Sequence, residues 1–257
     1  MHLVTGNRFE DFSNAVGSLP ASQVLARLSG EDALQDIVLG QGISDEERQI
    51  LKLLVKACGG RVHDLAADDR RAGRSVCHKH YAQNQLISLP RPVGKDVFEA
   101  DLLLDDRNEI LSDHLTGCHL QGMLLVEATR QMFIAVGETQ YPELDVPKDA
   151  YVVFDRIETR FETFAFPLPT VLRQTVTSTK TDRPGRVGFT AVVELTQPQG
   201  RVARSEVSYT IFDRAALQPK EEKLARLAVE AVMAQLGGTL TVAPVAAGAT
   251  AQMVASV

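Results

Sequence analysis

Tryptophan is absent from this chain, and aromatic residues together make up only 5% of its 257 residues. Few flat side chains are therefore available to stack on nucleic-acid bases. Positive charge is also in short supply, because 33 acidic residues face 27 lysines and arginines, for a formal net charge of -6. Since phosphate binding needs a basic face, this balance argues against nucleic acid as a partner.

Cysteine and long apolar runs are scarce as well. The three cysteines, Cys58, Cys77 and Cys118, cannot all pair, and their spacing fits neither a zinc site nor a disulfide framework. We therefore expect no metal and a reducing, cytoplasmic location. No apolar run reaches the roughly 20 residues of a membrane span, and the start of the chain at Met1 lacks the pattern of a signal peptide. We expect no membrane partner.

The first 76 residues have the patterns of short helices. Pro20 to Leu28 suits a helix with a proline near its start. Ser44 to Glu47 opens a second helix, whose apolar residues recur at helical spacing: Ile50, Leu51, Leu54 and Val55. The polar run from Asp68 to Arg74 is typical of a linker. The sequence therefore predicts a helical N-terminal extension over residues 1–76.

From Cys77 onward the pattern changes to strands around one apolar helix. Residues 84–89 and 97–102 are strand candidates. Residues 119–137 predict a helix that is apolar on nearly every side, which is typical of a buried helix.

Long alternating segments follow this helix. Apolar and polar residues alternate over 157–161, 187–195 and 203–211, which predicts strands with one buried face. Turn sequences at 182–185 and 197–200 lie between these segments and favour antiparallel pairing.

The end of the chain has a simpler pattern. Residues from Pro219 to 236 predict an amphipathic helix, and residues 237–257 have no clear period and predict a loose tail. We therefore divide the chain into the extension, a central domain over 77–214, and a C-terminal helix with a flexible tail over 215–257. The fold class is α+β, with an antiparallel sheet around one long helix.

Charged side chains inside the predicted central helix are the first candidates for chemistry. Glu127, Arg130 and Gln131 are three or four residues apart and lie near one face. In one interpretation they form a structural ion pair that docks the helix. In the other, Glu127 is a base or an orienting carboxylate tuned by Arg130, and Arg130 holds an anionic oxygen or a phosphate.

A histidine precedes the helix in the run His114-Leu115-Thr116-Gly117. His114 could be an ordinary loop histidine, or it could act as a general acid/base with Asp113 fixing its tautomer. The run is followed by Gly122-Met123-Leu124-Leu125-Val126-Glu127-Ala128. The two together resemble the His-x-x-Gly loop and the Gly-x-x-x-x-Glu-Ala helix of hot-dog dehydratases, although the connection at Cys118–Gln121 is about one residue shorter.

A closer resemblance is to the A-factor biosynthesis hot-dog family, which makes precursors of γ-butyrolactone-type signals. It rests on the helix run Glu127-Ala128-Thr129-Arg130-Gln131, and on Val76-Cys77-His78-Lys79-His80 followed by Asn84-Gln85-Leu86-Ile87-Ser88. Members of that family usually hold two hot-dog units in tandem, whereas this chain contains one, which we place at residues 77–214.

The resemblance implies a fold and a site. It implies a single hot-dog domain in which the sheet wraps the central helix. By analogy with hot-dog enzymes, backbone amides near Gly117 and Gly122 would polarise a thioester carbonyl, and Gly122 would permit its close approach or serve only helix packing. The implied catalytic residues are Glu127, Arg130 and His114, and the implied substrate-binding residues are Gly117, Gly122, Gln131 and Asp113.

The implied activity is transfer of a β-ketoacyl group from an acyl thioester to a small phosphorylated alcohol such as dihydroxyacetone phosphate. Dehydration or hydrolysis of a thioester is the alternative within the enzyme class, and a non-catalytic acyl-ligand binder is the alternative outside it. Expected partners are acyl-CoA or acyl-ACP, an acyl carrier protein and a second copy of the chain. In a homodimer Glu127 could face His114 of the partner subunit. No cofactor is expected.

Two basic segments are most simply interpreted as structural elements without a function in binding or catalysis. His78, Lys79 and His80 are best interpreted as the solvated start of a strand. Arg70, Arg71 and Arg74 could contact an acidic carrier protein or a coenzyme A phosphate, but such runs are more often linkers.

Overall fold

The computed structural model of the protein describes residues 1–28, 36–113, 117–144, 146 and 150–238, and the side chain of residue 113 is outside this set. Residues 1–213 form one compact unit, and residues from 214 onward form a second. In the described part of the chain, no helix is long and apolar enough to cross a membrane.

The N-terminal segment contains a parallel sheet, which corrects the prediction of a purely helical extension. Its four strands lie in the order β2-β1-β3-β4 and pair in parallel. The strands are β1 (His2–Thr5), β2 (Leu19–Pro20), β3 (Asp36–Leu39) and β4 (Arg61–His63). Each is too short for an alternating pattern to develop, so periodicity could not reveal them.

Three helices connect these strands: α1 (Glu10–Val16), α2 (Ala21–Leu28) and α3 (Asp45–Ala57). The predicted helices at Pro20 and Ser44 are therefore present. Ser44 caps α3 in a reciprocal arrangement, because its side chain accepts from the Glu47 backbone N–H at 3.2 Å and its own N–H donates to the Glu47 carboxylate at 3.0 Å. A small apolar core beneath α2 and α3 includes Val24 and Leu51.

The second sheet has six strands in the order β5-β6-β8-β9-β10-β7, all paired antiparallel. The strands are β5 (Arg91–Gly94), β6 (Val97–Asp101), β7 (Ala150–Phe161), β8 (Val171–Lys180), β9 (Arg186–Gln197) and β10 (Gly200–Asp213). The predicted turns at 182–185 and 197–200 join β8, β9 and β10, which confirms the meander.

One long helix lies against this sheet, as predicted. Helix α6 (Gly122–Thr139) buries residues on most sides. Its Phe133 ring packs on Tyr209 of β10 at a centroid distance of 4.6 Å, and Tyr209 stacks on Phe189 of β9 at 5.2 Å. Burying each such side chain stabilises the fold by about 2 kcal/mol. The result is a helix wrapped by an antiparallel sheet, the α+β hot-dog arrangement.

Short helices precede α6 in the chain: α4 (Arg74–Cys77), a 3₁₀ turn at Ala82–Asn84 and α5 (Glu109–Asp113). A second 3₁₀ turn, Pro142–Leu144, follows it. The predicted strand over 84–89 is wrong in its extent, because only isolated bridges form there, at Ile87 and Ser88. The segment does not alternate in burial, because the consecutive residues Leu86 and Ile87 are both buried in the core around α6.

The run 68–74 is not a free linker. The side chain of Arg71 is 7% exposed, and its Nε donates to Asp45 of α3 at 2.8 Å. Its NH1 also donates to the backbone carbonyls of Gln85 and Leu103. Arg71 therefore joins the N-terminal segment to the hot-dog sheet, and it is not available for the basic surface patch that the sequence suggested.

The described residues of the second unit form one long helix and a short turn after it. Helix α7 (Arg214–Gln235) begins five residues before the predicted start, so Pro219 lies inside it. The predicted tail over 237–257 lies outside the described residues from 239 onward.

Candidate functional site

Glu127 is the centre of a cluster of hydrogen bonds on α6. Its side chain is 15% exposed, and Arg130 binds it with two nitrogens, Nε to Oε2 at 2.9 Å and NH2 to Oε1 at 3.0 Å. Gln131 donates to Oε1 at 3.0 Å. The sequence spacing on one helical face therefore predicted this contact correctly.

Lys79 completes the cluster from outside the helix. Its ammonium lies 3.0 Å from Oε1 of Glu127, and the Cys77 carbonyl just before it accepts from Arg130 at 3.4 Å. His78, which has a positive φ of 54° after α4, contacts Glu138 through Nε2 at 2.9 Å. The interpretation of residues 78–80 as the solvated start of a strand is therefore wrong for Lys79, because α4 folds back along α6.

The charges of this cluster do not cancel. Lys79 and Arg130 bring two positive charges to the single carboxylate of Glu127. Among these three side chains the excess is one positive charge, and they are partly buried, where Coulomb interactions are stronger than in water. Such a site favours an anionic group on any molecule that binds beside it.

Gln131 connects the cluster to the segment before the sheet. Its side chain is fully buried, its Nε2 donates to the Asn84 carbonyl at 2.8 Å, and its Oε1 accepts from the Leu86 N–H at 2.7 Å. Asn84 in turn binds the backbone and carboxylate of Glu109 in α5. Both N–H donors of the Gln131 amide are used, one by the Asn84 carbonyl and the other by Glu127. Gln131 therefore positions the cluster and α5 together.

The described segment 36–113 ends at the first member of the predicted Asp113–His114 pair. Asp113 is the last residue of that helix, but its side chain and all of His114 lie outside the described residues. Their roles therefore stay predictions. Because α5 is bonded through Asn84 and Gln131 to Glu127, the chain that leads into His114 starts from a fixed position relative to the cluster.

Glycines shape the loop that enters α6. Gly117 has a φ of 63°, and a Cβ placed on it would meet the Asp11 carboxylate of α1 at 2.3 Å. Its carbonyl accepts from the Phe12 N–H at 3.0 Å. The N-terminal segment therefore fixes this loop, and a residue larger than glycine would displace it.

The first turn of α6 offers backbone donors. Gly122 and Met123 are its first two residues, and N–H groups at such positions have no carbonyl one turn earlier in the helix. The ring of Phe161 lies close to Gly122, 3.0 Å from where a Cβ would stand. Glu127 is five residues further on, about 7.5 Å along the helix axis.

An exposed apolar strip lies beside this face of α6. Met123 on the first turn is 65% exposed, and three residues of β7 continue the strip: Phe154, Ile157 and Phe161. Phe154 contacts Phe133 of α6 at a ring-centroid distance of 5.2 Å. We call the surface formed by Met123, Phe154, Ile157 and Phe161 the α6–β7 strip.

Glu127 is ionised at neutral pH. Burial opposes its charged form, but hydrogen bonds from Arg130 and Gln131 outweigh burial and hold the pKa of the carboxyl below its usual value. Glu127 is therefore suited to orient a hydroxyl group and to accept the hydroxyl proton late in a reaction. It is unsuited to act as a general acid. Among the described residues, no group of three or more metal-binding side chains is placed to hold an ion.

The lowered pKa of Glu127 predicts acid sensitivity. A carboxyl whose pKa falls on folding stabilises the protein above its unfolded-state pKa, and this contribution is lost as the pH falls through the folded-state value. We expect the free energy of unfolding to drop below about pH 4.5, and to drop less steeply in Glu127→Gln. Urea denaturation from pH 3 to 7 measures both slopes, and equal slopes would contradict the assignment.

A model of a known protein family matches the central part of the chain. The model of the A-factor biosynthesis hotdog domain family matches residues 63–213, so the match begins before the predicted boundary at residue 77. No curated protein matches the chain.

Solved structures of several bacterial proteins are similar to part of the chain. A conserved protein from Pseudomonas aeruginosa is 13% identical, with a TM-score of 0.39, and the match covers 55% of this chain and 99% of that chain. A hot-dog-like protein from Thermanaerovibrio acidaminovorans is 15% identical, with a TM-score of 0.39 and coverage of 51% and 91%. A thioesterase from Haemophilus influenzae is 14% identical, with a TM-score of 0.35 and coverage of 54% and 95%.

The family match spans more than half of the 257 residues and includes both the Glu127 cluster and the whole six-stranded sheet. The chain belongs to the A-factor biosynthesis hot-dog domain family.

Proposed function

We propose that this protein transfers a β-ketoacyl group from an acyl thioester to a small phosphorylated alcohol, as in the synthesis of butyrolactone- or butenolide-type signals. The observation that carries the proposal is the Glu127–Arg130–Lys79 cluster, with its excess positive charge, beside the exposed α6–β7 strip. The strip suits an acyl chain, and the cluster suits an anionic acceptor.

Each part of the substrate pair has a place in this arrangement. The acyl chain would lie on Met123, Phe154 and Ile157, and the thioester carbonyl would accept hydrogen bonds from the first turn of α6. The phosphate of the acceptor would bind Lys79 and Arg130, which are the two cations on the cluster.

Glu127 would orient the acceptor hydroxyl. The hydroxyl oxygen attacks the thioester carbon, a C–O bond forms, and the C–S bond breaks. The hydroxyl proton passes by way of Glu127 to the departing thiolate, so the products are an ester and a free thiol. The low pKa of Glu127 fits a group that holds the proton only in passing.

Hydrolysis is the second candidate within the same site. A water molecule bound to the ionised Glu127 would replace the alcohol, and the products would be a free acid and a thiol. This candidate does not use the excess positive charge of Lys79 and Arg130, which favours the phosphorylated acceptor. Dehydration would require His114 as the acid/base.

Product mass spectrometry tests the proposal. Purified protein would be given a β-ketoacyl thioester of coenzyme A, or of an acyl carrier protein, with and without dihydroxyacetone phosphate. Transfer predicts a phosphorylated ester or its cyclised butenolide only when the acceptor is present. A free β-keto acid at the same rate with or without the acceptor would establish hydrolysis, and unchanged thioester would favour a binding role.

A second copy of the chain is the proposed partner at β7. This strand has twelve residues, and within the part of the chain that the structure describes it pairs only with β10, so its other edge is open there. Long open edges that carry apolar residues are usually covered. A symmetric pair of β7 edges would extend the sheet across two copies, so that the α6–β7 strip and the acyl chain on it would lie at the interface.

Charged substitutions test this dimer. We expect Phe154→Lys combined with Ile157→Lys to shift a dimer to a monomer in size-exclusion chromatography with light scattering, because four lysines would then meet at the interface. Val93→Lys on the opposite edge strand β5, where Val93 is also exposed, is the matched control. Dissociation by Val93→Lys alone would place the interface at β5 instead.

A further inference from the structure

A cavity of about 290 Å³ lies between the N-terminal sheet and one end of the hot-dog sheet. Gln41, Asp64 and Ala66, which follow β3 and β4, contribute one side of it, and Arg48 of α3 lies among them. Residues next to the ends of β6, β8 and β9 supply the opposite side, including Leu102, Thr170 and Pro198. Its lining includes no residue of α6 or β7, so it is separate from the proposed acyl site.

The position of this cavity follows from the parallel sheet. In open parallel sheets, ligands bind outside the carboxyl ends of the strands, where the strand order reverses. That point lies between β1 and β3, but it is closed: the Gly6 N–H donates to the Gln41 carbonyl at 2.9 Å, and a Cβ on Gly6 would stand 1.9 Å from the Gly42 oxygen. The open space lies beside the next pair of strands in the sheet, β3 and β4.

Arg48 has unused hydrogen-bond donors at this cavity. Its side chain is only 5% exposed, and its NH1 donates to Asp64 at 2.9 Å. A guanidinium has five N–H donors, and the described residues supply no other acceptor for this one. Arg48 lines the cavity, so the cavity is suited to a molecule that brings an acceptor oxygen to its remaining donors.

The charges around the cavity balance. Arg48 and Lys52 face Asp64 and Asp69, and Arg91 pairs with the buried Asp101 at 2.8 Å. An additional carboxylate or phosphate would therefore find no excess positive charge and would meet Asp64 and Asp101.

The rest of the lining is mostly apolar. It includes Leu39, Leu65, Leu102, Pro169, Val171 and Pro198. This composition suits an apolar body and does not suit a charged one.

We propose that this cavity is a second ligand site, which binds a small neutral molecule with an apolar body and a carbonyl oxygen that accepts from Arg48. The proposal does not depend on the reaction at Glu127. Ligand binding here would tie the N-terminal sheet to the hot-dog sheet, because both line the cavity.

A tryptophan reporter tests the site directly, since the chain has no tryptophan. Leu65 lines the cavity and is 60% exposed, so Leu65→Trp places a single emitter at its mouth. The probe is γ-nonalactone, a neutral carbonyl compound, and nonanoate is the matched anion. We expect saturable emission changes with the lactone and at least tenfold weaker binding of nonanoate.

Two further substitutions in the Leu65→Trp protein locate the probe. Arg48→Met removes the donors while Lys52 still pairs with Asp64 at 2.8 Å, and we expect at least tenfold weaker lactone binding. Ala66→Phe fills the cavity and should abolish lactone binding. If Arg48→Met does not fold, Ala66→Phe alone tests the location of the probe. Met123→Lys in the α6–β7 strip should leave lactone binding unchanged.

Three results would overturn the second site. The first is the absence of a saturable signal, confirmed by calorimetry with the wild-type protein. The second is lactone binding that survives Ala66→Phe. The third is loss of lactone binding in Met123→Lys, which would place the probe on the α6–β7 strip.

Discussion

Replacing Glu127 with glutamine should reduce kcat for acyl transfer by about 100-fold or more, the range expected when a proton-transferring group is lost. Glutamine keeps the size of the side chain but removes the charge that holds Arg130 and Lys79 together. The two cations would then repel each other, and the acceptor hydroxyl would lose its proton acceptor. Steady-state rates of thiol release, with circular dichroism to confirm folding, measure the effect.

Lys79→Met is the companion variant. It removes a positive charge but leaves both hydrogen bonds between Arg130 and Glu127 in place. We expect KM for the phosphorylated acceptor to rise about tenfold, while KM for the thioester stays within about twofold, because one charged hydrogen bond contributes about 1.5–3 kcal/mol at most. Full activity in Glu127→Gln would show that the cluster only docks α6, which was the structural interpretation of the sequence.

The second large effect is expected on stability. Gln131→Leu should lower the free energy of unfolding by about 3 kcal/mol, because it leaves the Leu86 N–H and the Asn84 carbonyl buried without partners. Urea denaturation followed by circular dichroism measures this change. Gln131→Leu should also lower activity. Gln131 donates to the Asn84 carbonyl, and Asn84 holds α5, the helix that precedes His114 in the chain.

Gln140→Leu is the matched control for Gln131. Gln140 caps the other end of the same helix, and its amide makes a longer bond of 3.3 Å to the Pro90 carbonyl at a partly exposed position. We expect a loss within about 0.5 kcal/mol, as for most surface substitutions. Equal losses in the two variants would contradict a special structural role for Gln131.

The sequence predicted the elements whose periodicity extends over many residues. Strands β9 and β10 alternate over more than ten residues each, and α6 is apolar around most of its surface, so both patterns were clear. Strand β8 was missed because Gln174 interrupts its buried row between Leu172 and Val176. The N-terminal strands were missed because two to four residues cannot show a period.

The site divides in the same way. Glu127, Arg130 and Gln131 meet within one helix, so their spacing was enough to predict the contact. Lys79 is 48 positions away from Glu127 in sequence and reaches it only because α4 packs on α6. The available signal was the family's Cys77-His78-Lys79-His80 segment, which the resemblance marked but spacing could not connect to the helix.

The most direct test of the account is a crystal structure with a non-hydrolysable thioether analogue of a β-ketoacyl-CoA. We predict that the acyl chain lies on the α6–β7 strip and that a carbonyl oxygen of the analogue lies at the first turn of α6. The carbon that corresponds to the reacting carbon should lie within reach of a hydroxyl held by Glu127. An acyl chain bound away from α6, with the Glu127 cluster buried behind protein on every side, would contradict the assignment of this face as the active site.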